Sequence, residues 1–198
     1  MDALSRLVTA LRCLPGVGPK SAQRMVFHLL QHHRQRGLHL AECLTEAMST
    51  IGHCRFCNNY TTDSICSLCD TPNRDTTTLC IVEDPSDVLA IEQSSVYRGR
   101  YYVLMGKISP IDGVGPEELG LEQLRLRIRE AGIQEVILAL SPSIESQTTI
   151  HFIQAYLREE AIKITQLAHG IPSGGELAYL DGHTISSAIR NRERLKTD

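Results

Sequence analysis

Four cysteines spaced Cys54-x2-Cys57-x8-Cys66-x2-Cys69 constrain this chain more than any other feature. A C-x-x-C pair presents two sulfurs to one ion from a tight turn, and two such pairs satisfy a tetrahedral zinc. Four thiolates close the coordination shell, leaving no place for water or substrate, so the spacing predicts a structural zinc rather than a catalytic one. Two disulfides, or cysteines paired only in sequence, are the competing reading. The N-terminus meets Arg6 and Arg12 before a signal-like apolar core can form, and no stretch approaches the ~18 apolar residues of a spanning helix. The chain therefore reads as cytoplasmic, without a membrane partner, where thiols stay reduced and free to bind metal. Cys13, Cys43 and Cys80 stand singly in apolar surroundings and are expected to be buried and inert.

The 198 residues, 42% hydrophobic, suffice for one medium core with small appendages. The net charge of −3 is unevenly distributed. Residues 1–40 carry Arg6, Arg12, Lys20, Arg24, Arg34 and Arg36 against Asp2 alone, a charge of +5, whereas residues 41–198 carry −8. Such a division suggests a polyanion held at the basic end. Within that end, Leu14-Pro15-Gly16-Val17-Gly18-Pro19-Lys20-Ser21-Ala22 separates two stretches with helical apolar spacing. Leu4, Leu7, Val8 and Leu11 form the first stripe; Ala22, Met25, Val26, Leu29 and Leu30 form the second. The segment resembles a helix-hairpin-helix. Gly16 and Gly18 would let a phosphate approach the backbone, the second helix would point free amides at it, and Lys20 and Arg24 would supply counter-charge from one helix face. These are phosphate contacts, so binding should depend on salt and hardly on base sequence.

The same residues are not a nucleotide phosphate loop. That motif needs Gly directly before the Lys, where Pro19 stands, and Cys13 occupies the place of its first Gly. Leu177-Ala178-Tyr179-Leu180-Asp181 has the shape of a Walker B strand, but without a phosphate loop Asp181 is better read as a turn or helix-capping residue.

From residue 78 the pattern alternates strand and helix, which predicts an α/β fold with a largely parallel sheet. Strands are expected at Leu79 to Val82, Tyr101 to Met105, Val136 to Leu140 and Ile162 to Ile164. Helices are expected through Val88, Leu89 and Ile91, from Leu121 to Glu130, and from Ser146 to Glu159, with a further helix through Thr184 to Ile189. The Gly/Pro-rich run Ser109 to Pro116 should lack regular structure. Functional groups of such sheets gather at the carboxyl ends of the strands, where Glu83 and the Ser141 to Glu145 segment fall.

In order, the chain holds the hairpin, the cysteine module, Val82-Glu83-Asp84-Pro85-Ser86-Asp87, and Ala168-His169-Gly170-Ile171-Pro172 followed by Gly174-Gly175-Glu176-Leu177. With these it resembles the bacterial RecR family of recombination mediators. The resemblance implies four parts: a helix-hairpin-helix over 1–52, a zinc module over 53–77, a Toprim domain over 78–172, and over 173–198 a Walker-B-like segment with a helix for subunit contacts. It also implies a non-enzymatic protein of recombinational DNA repair. Such proteins act with RecO, and sometimes RecF, to help load RecA onto single-stranded DNA, bind single- and double-stranded DNA without sequence preference, and form ring-shaped tetramers through both termini. Catalytic Toprim proteins carry a Glu after the first strand and Asp-x-Asp-x-Glu after a later one. Glu83 matches the first, but Ser141-Pro142-Ser143-Ile144-Glu145 puts serines at both aspartate places. Two carboxylates are too few for magnesium phosphoryl chemistry, which needs several converging oxygens. Ser146-Gln147 also replaces the Gly-Glu usual in the family. The alternative is a Toprim-type nuclease or topoisomerase-related enzyme. In the mediator reading, Glu83, Asp84, Asp87 and Glu145 face outward to a basic protein partner, and the tail with Arg190, Arg192 and Arg194 packs on a neighbouring subunit.

Overall fold

The computed structural model describes residues 2–111, 113–168, 170–172 and 174–192. His169 and Arg194, both named above, lie outside the described residues. The chain divides into two compact units between Ile51 and Gly52.

The first unit is three helices, α1 (Ala3–Leu11), α2 (Pro19–His32) and α3 (Arg34–Thr50). Asp2 caps α1 by accepting the Ser5 N–H at 2.6 Å. α2 opens with Pro19, whose fixed backbone suits a first helical position, and packs against both α1 and α3. The sequence reading did not separate α3, which starts immediately after His33, where the backbone leaves helical geometry (φ −141°, ψ 43°). The two expected apolar stripes are present, but only Ala22 and Val26 are fully buried. About fifty residues cannot enclose more. For the same reason Cys13 and Cys43 are exposed, contrary to expectation, while Cys80 is buried as expected.

The second unit opens with an antiparallel pair, β1 (Gly52–His53) and β2 (Tyr60–Thr61), and the short helix α4 (Ser67–Asp70). A four-stranded parallel sheet follows, with strands β3 (Thr78–Val82), β4 (Arg100–Val103), β5 (Glu135–Ala139) and β6 (Lys163–Gln166) in the order β4-β3-β5-β6. The helices between and after them are α5 (Pro85–Ser94), α6 (Leu121–Ala131), α7 (Ile144–Tyr156) and α8 (Gly182–Arg190). Covered on both faces, β3 reads as an unbroken apolar run. Alternate side chains serve two cores. Leu79, Ile81, Val136 and Leu138 pack with Leu124 and Ile128 of α6 and Ile150 and Ile153 of α7. On the other side Cys80, Val82, Tyr101 and Val103 pack with Val88 of α5 and with Cys54, Cys57 and Cys66. The cysteine module is thus built onto the sheet and shares its core.

β4 stops at Val103, two residues short of the sequence-based end, because Met105 takes a left-handed conformation (φ 60°) that turns the chain away. The Ser109 to Pro116 run carries one isolated antiparallel bridge, Ser109 with Val114. Leu177–Tyr179 is a single 3-10 turn, and Asp181 caps α8 by accepting the N–H groups of His183 (2.9 Å) and Thr184 (3.0 Å). Among the described residues no helix is long and apolar enough to cross a membrane.

Candidate functional sites

The four module cysteines converge. Their sulfurs all lie within 4.8 Å of one another, with Cys57 and Cys66 Sγ 3.4 Å apart. A tetrahedral ion with sulfur bonds of about 2.3 Å sets its ligands roughly 3.8 Å apart, so the cluster can hold a metal ion with small side-chain adjustments. The first loop turns at Asn58, left-handed at φ 61°, whose N–H returns to the Cys54 carbonyl at 2.9 Å. Without an ion the crowded thiols resist ionisation. The Cys69 sulfur first, and burial next, push Cys57 far above the thiol range, and burial takes Cys66 to about 11. Cys54 goes the other way: against the opposing effect of burial, the backbone amides of Cys57, Cys66 and Phe56 bring it down to about 7. A cation replaces this mutual resistance with charge balance.

The module is stitched to the sheet edge. Val103 N–H donates to the Cys57 carbonyl and Asn58 Nδ2 donates to the Val103 carbonyl, both at 2.8 Å. From α6, Arg127 lies over the Phe56 ring at 5.0 Å and donates to the Arg55 carbonyl.

At the hairpin, Gly16 is left-handed at φ 77°, a conformation that favours glycine. Gly18 is not: it is the N-cap of α2 with φ −79°, so what it contributes is an open approach, since a Cβ there would meet nothing within 4 Å. Gly18 has no side chain with which to cap the helix, so the first amides of α2 point outward uncapped. Lys20 and Arg24 are exposed one turn apart on α2.

The strand-end carboxylates are not an outward row. Glu83 is buried, with 7% of its surface exposed, which corrects its expected outward position. Its Oε1 accepts the Ser141 N–H at 3.2 Å and the Ser146 hydroxyl. A buried carboxylate requires such donors, and the chain after β5 supplies them. Ser143 caps α7, accepting the Ser146 N–H at 3.1 Å, and lies 3.4 Å from Lys107 Nζ, which is 3.7 Å from Glu145. Glu145 is held below the ordinary glutamate range by its backbone amide, Ser143 and Lys107. Asp84 and Asp87 form a capping box at the start of α5, with the Asp84 N–H donating to Asp87 at 2.9 Å. Asp84 is exposed, while Asp87 and Glu145 are half-buried. Sequence reasoning missed Lys107, a loop residue without periodic signal. It noticed Ser146 only as a departure from a pattern.

Arg125, Arg127 and Arg129 make a second cluster of basic residues on α6, but each is engaged internally. Arg125 pairs with Glu122 at 3.0 Å, Arg127 with the cysteine module, and Arg129 with Glu160 at 2.6 Å.

Comparison with known proteins gives a consistent picture. Residues 4–48 match the family described as RecR, helix-hairpin-helix; residues 77–168 match the Toprim domain; residues 170–193 match RecR, C-terminal. The chain is 70% identical to the recombination protein RecR of Legionella pneumophila strain Philadelphia 1, over 97% of this chain and 96% of that protein. It is also 70% identical to the same protein of strains Corby and Paris, over 97% of this chain and 98% of each relative. The hairpin, the sheet with its strand-end cluster and the C-terminal segment thus fall in the order of these matches, and the chain belongs to the RecR family of recombination proteins.

Proposed function

We propose that the chain is a non-enzymatic, DNA-binding mediator of recombinational repair that works with RecO, and sometimes RecF, to help load RecA onto single-stranded DNA. The observation that carries this reading is the strand-end cluster. Glu83 is committed to Ser141 and Ser146, Glu145 faces the Lys107 ammonium, and serines stand where further metal-binding carboxylates would be needed. A divalent ion would have to displace Lys107 and strip Glu83 of its donors, with no additional carboxylate from positions 141 and 143 in return. The outward acidic groups, Asp84 with the half-exposed Asp87 and Glu145, suit a basic surface on RecO.

DNA is assigned to Gly16, Gly18, Lys20 and Arg24, where backbone amides and two cations can hold phosphates of single or double strands. Cys54, Cys57, Cys66 and Cys69 hold one structural zinc, since an all-sulfur tetrahedral set favours that ion over magnesium or calcium. A homotetrameric ring would bring four copies of the +5 segment to one DNA, giving a firm grip without a strongly basic chain. Exposed Leu38, Leu44 and Met48 on α3, and Leu177, Tyr179 and Ile189 in the C-terminal segment, provide apolar surface for such subunit contacts.

The test mixes purified protein with supercoiled and single-stranded DNA plus magnesium or manganese, and measures DNA binding and RecO pull-down in parallel. No nicking, relaxation or ATP hydrolysis is expected. Lys20→Ala with Arg24→Ala should weaken binding equally for unrelated sequences and lower the log–log salt slope by about 0.9 for each lost phosphate contact on duplex DNA. Glu145→Gln should weaken RecO capture and leave DNA binding intact. Metal-dependent cleavage abolished by Glu83→Gln or Glu145→Gln would replace the mediator with a Toprim nuclease.

A further inference from the structure

The exposed face of α2 does not end at Arg24. At the same four-residue interval it continues through His28 and His32, all four side chains exposed. Steps of four residues rise about 6 Å, so the stripe extends roughly 18 Å along the helix. That length matches about five steps of a nucleic-acid strand at 3.4 Å each. An open groove of about 470 Å³ follows it, lined by these four side chains with Gln23, Phe27 and Gln31 between them. The His28 and His32 rings are neighbours, with centroids 5.7 Å apart, and His33 closes on His28 at 4.9 Å.

We propose that Lys20, Arg24, His28 and His32 form one continuous track for a nucleic-acid phosphate backbone, and that its two histidines tighten the grip on DNA as pH falls. This rests on the hairpin reading above and extends it along the helix.

Charge complementarity identifies the occupant. Between Asp2 and Glu42 the sequence contains no carboxylate. The charged and titratable groups on and beside α1 are Asp2, Arg6, Arg12 and Cys13; those on α3 are Arg34, Arg36, His39, Glu42, Cys43 and Glu46, with the Cys43 sulfur 3.6 Å from His39. Asp2 is committed to the Ser5 amide, and Glu42 lies 4.0 Å from His39. Among the described residues neither His28 nor His32 pairs with a carboxylate. His33, half-buried beside them, is held below the ordinary histidine range, first by burial and then by Arg36, His28 and His32. The same neighbours make the groove electropositive, and a polyanion laid along it relieves the repulsion they exert on His33. Histidine gains its charge between pH 8 and 5, so phosphate binding and ring protonation must reinforce each other. A metal cage is the other use of clustered histidines. Among the described residues, however, the four cysteines are the one group of three or more potential ligands that converge.

The experiment measures binding of fluorescent oligonucleotides of unrelated sequence to the full, metal-loaded protein at about pH 5.5 and about pH 8, each across a salt series. Wild-type affinity should rise on acidification by roughly fivefold for each protonated ring, the scale of one charge pair at 4 Å in water. The salt slope should steepen by up to about 0.9 per ring on duplex DNA. His28→Gln with His32→Gln should lose the acid gain, and the single His32→Gln should lose about half of it. A double variant with the full wild-type gain overturns the track while leaving the hairpin reading intact, provided Lys20→Ala with Arg24→Ala still weakens binding. Unchanged affinity in the Lys20 and Arg24 variant at both pH values overturns the hairpin reading and the track together.

Discussion

A carboxylate buried at the end of a strand is stable only if donors surround it, and at Glu83 one of them is a side chain that can be deleted singly. Ser146→Ala removes the hydroxyl donor and leaves the Ser141 amide. A buried acceptor left short of a partner costs about 1–3 kcal/mol, which urea denaturation should read as a lower midpoint at unchanged slope. An unchanged midpoint would mean that water supplies the missing donor. The convergence of the cysteines and the placement of Lys20 and Arg24 one turn apart were legible in the sequence because both follow from local spacing. The burial of Glu83 was not, since its donors lie 58 and 63 residues later and strand periodicity says nothing about what closes over a strand end. Gly18 illustrates the same limit: its type announced a turn, but only Gly16 uses the positive φ.

At the scale of elements, apolar runs located β3 and β5 to within a residue, because β3 is buried on both faces and β5, though its burial alternates between partial and full, carries apolar side chains on both. The early end of β4 at a left-handed Met105 had no such signal, and α3 went unseen because Gly37 and polar residues dilute its apolar stripe. The parallel character of the sheet was expected, but its order β4-β3-β5-β6 is a matter of long-range pairing. The cysteine module was read as a separate piece, whereas its sulfurs lie in the core shared with Val82 and Val103. Cys57→Ser should therefore disturb more than one loop. Zinc-finger peptides draw on the order of 10–16 kcal/mol from their metal, and loss of even a fraction should release the ion and lower the melting temperature of the second unit. Metal analysis with calorimetry checks both, and a metal-free variant of normal stability would remove the structural role.

For the whole molecule, the uneven charge makes assembly and DNA binding one question. A lone chain offers +5 on residues 1–40 and −8 on the rest, so the proposed DNA binding would be firm only with several copies of the basic segment. Native mass spectrometry should find about four times the 22.0 kDa chain mass, and dilution below the assembly range should weaken DNA binding together with the loss of that species. A monomer binding DNA at full strength would refute the ring. The proposed metal and solubility would be joined as well. Strand β4 is an edge of the sheet, and its Val103 amide and carbonyl are occupied by Cys57 and Asn58 of the cysteine loop. An ion held by the four cysteines would thereby act as a guard against cross-β pairing: a chelator that frees this loop would uncover the Val103 end of an edge strand, ready to template another chain. Metal-depleted protein should fail first by clumping, at a rate that climbs with concentration, before the sheet behind it has melted.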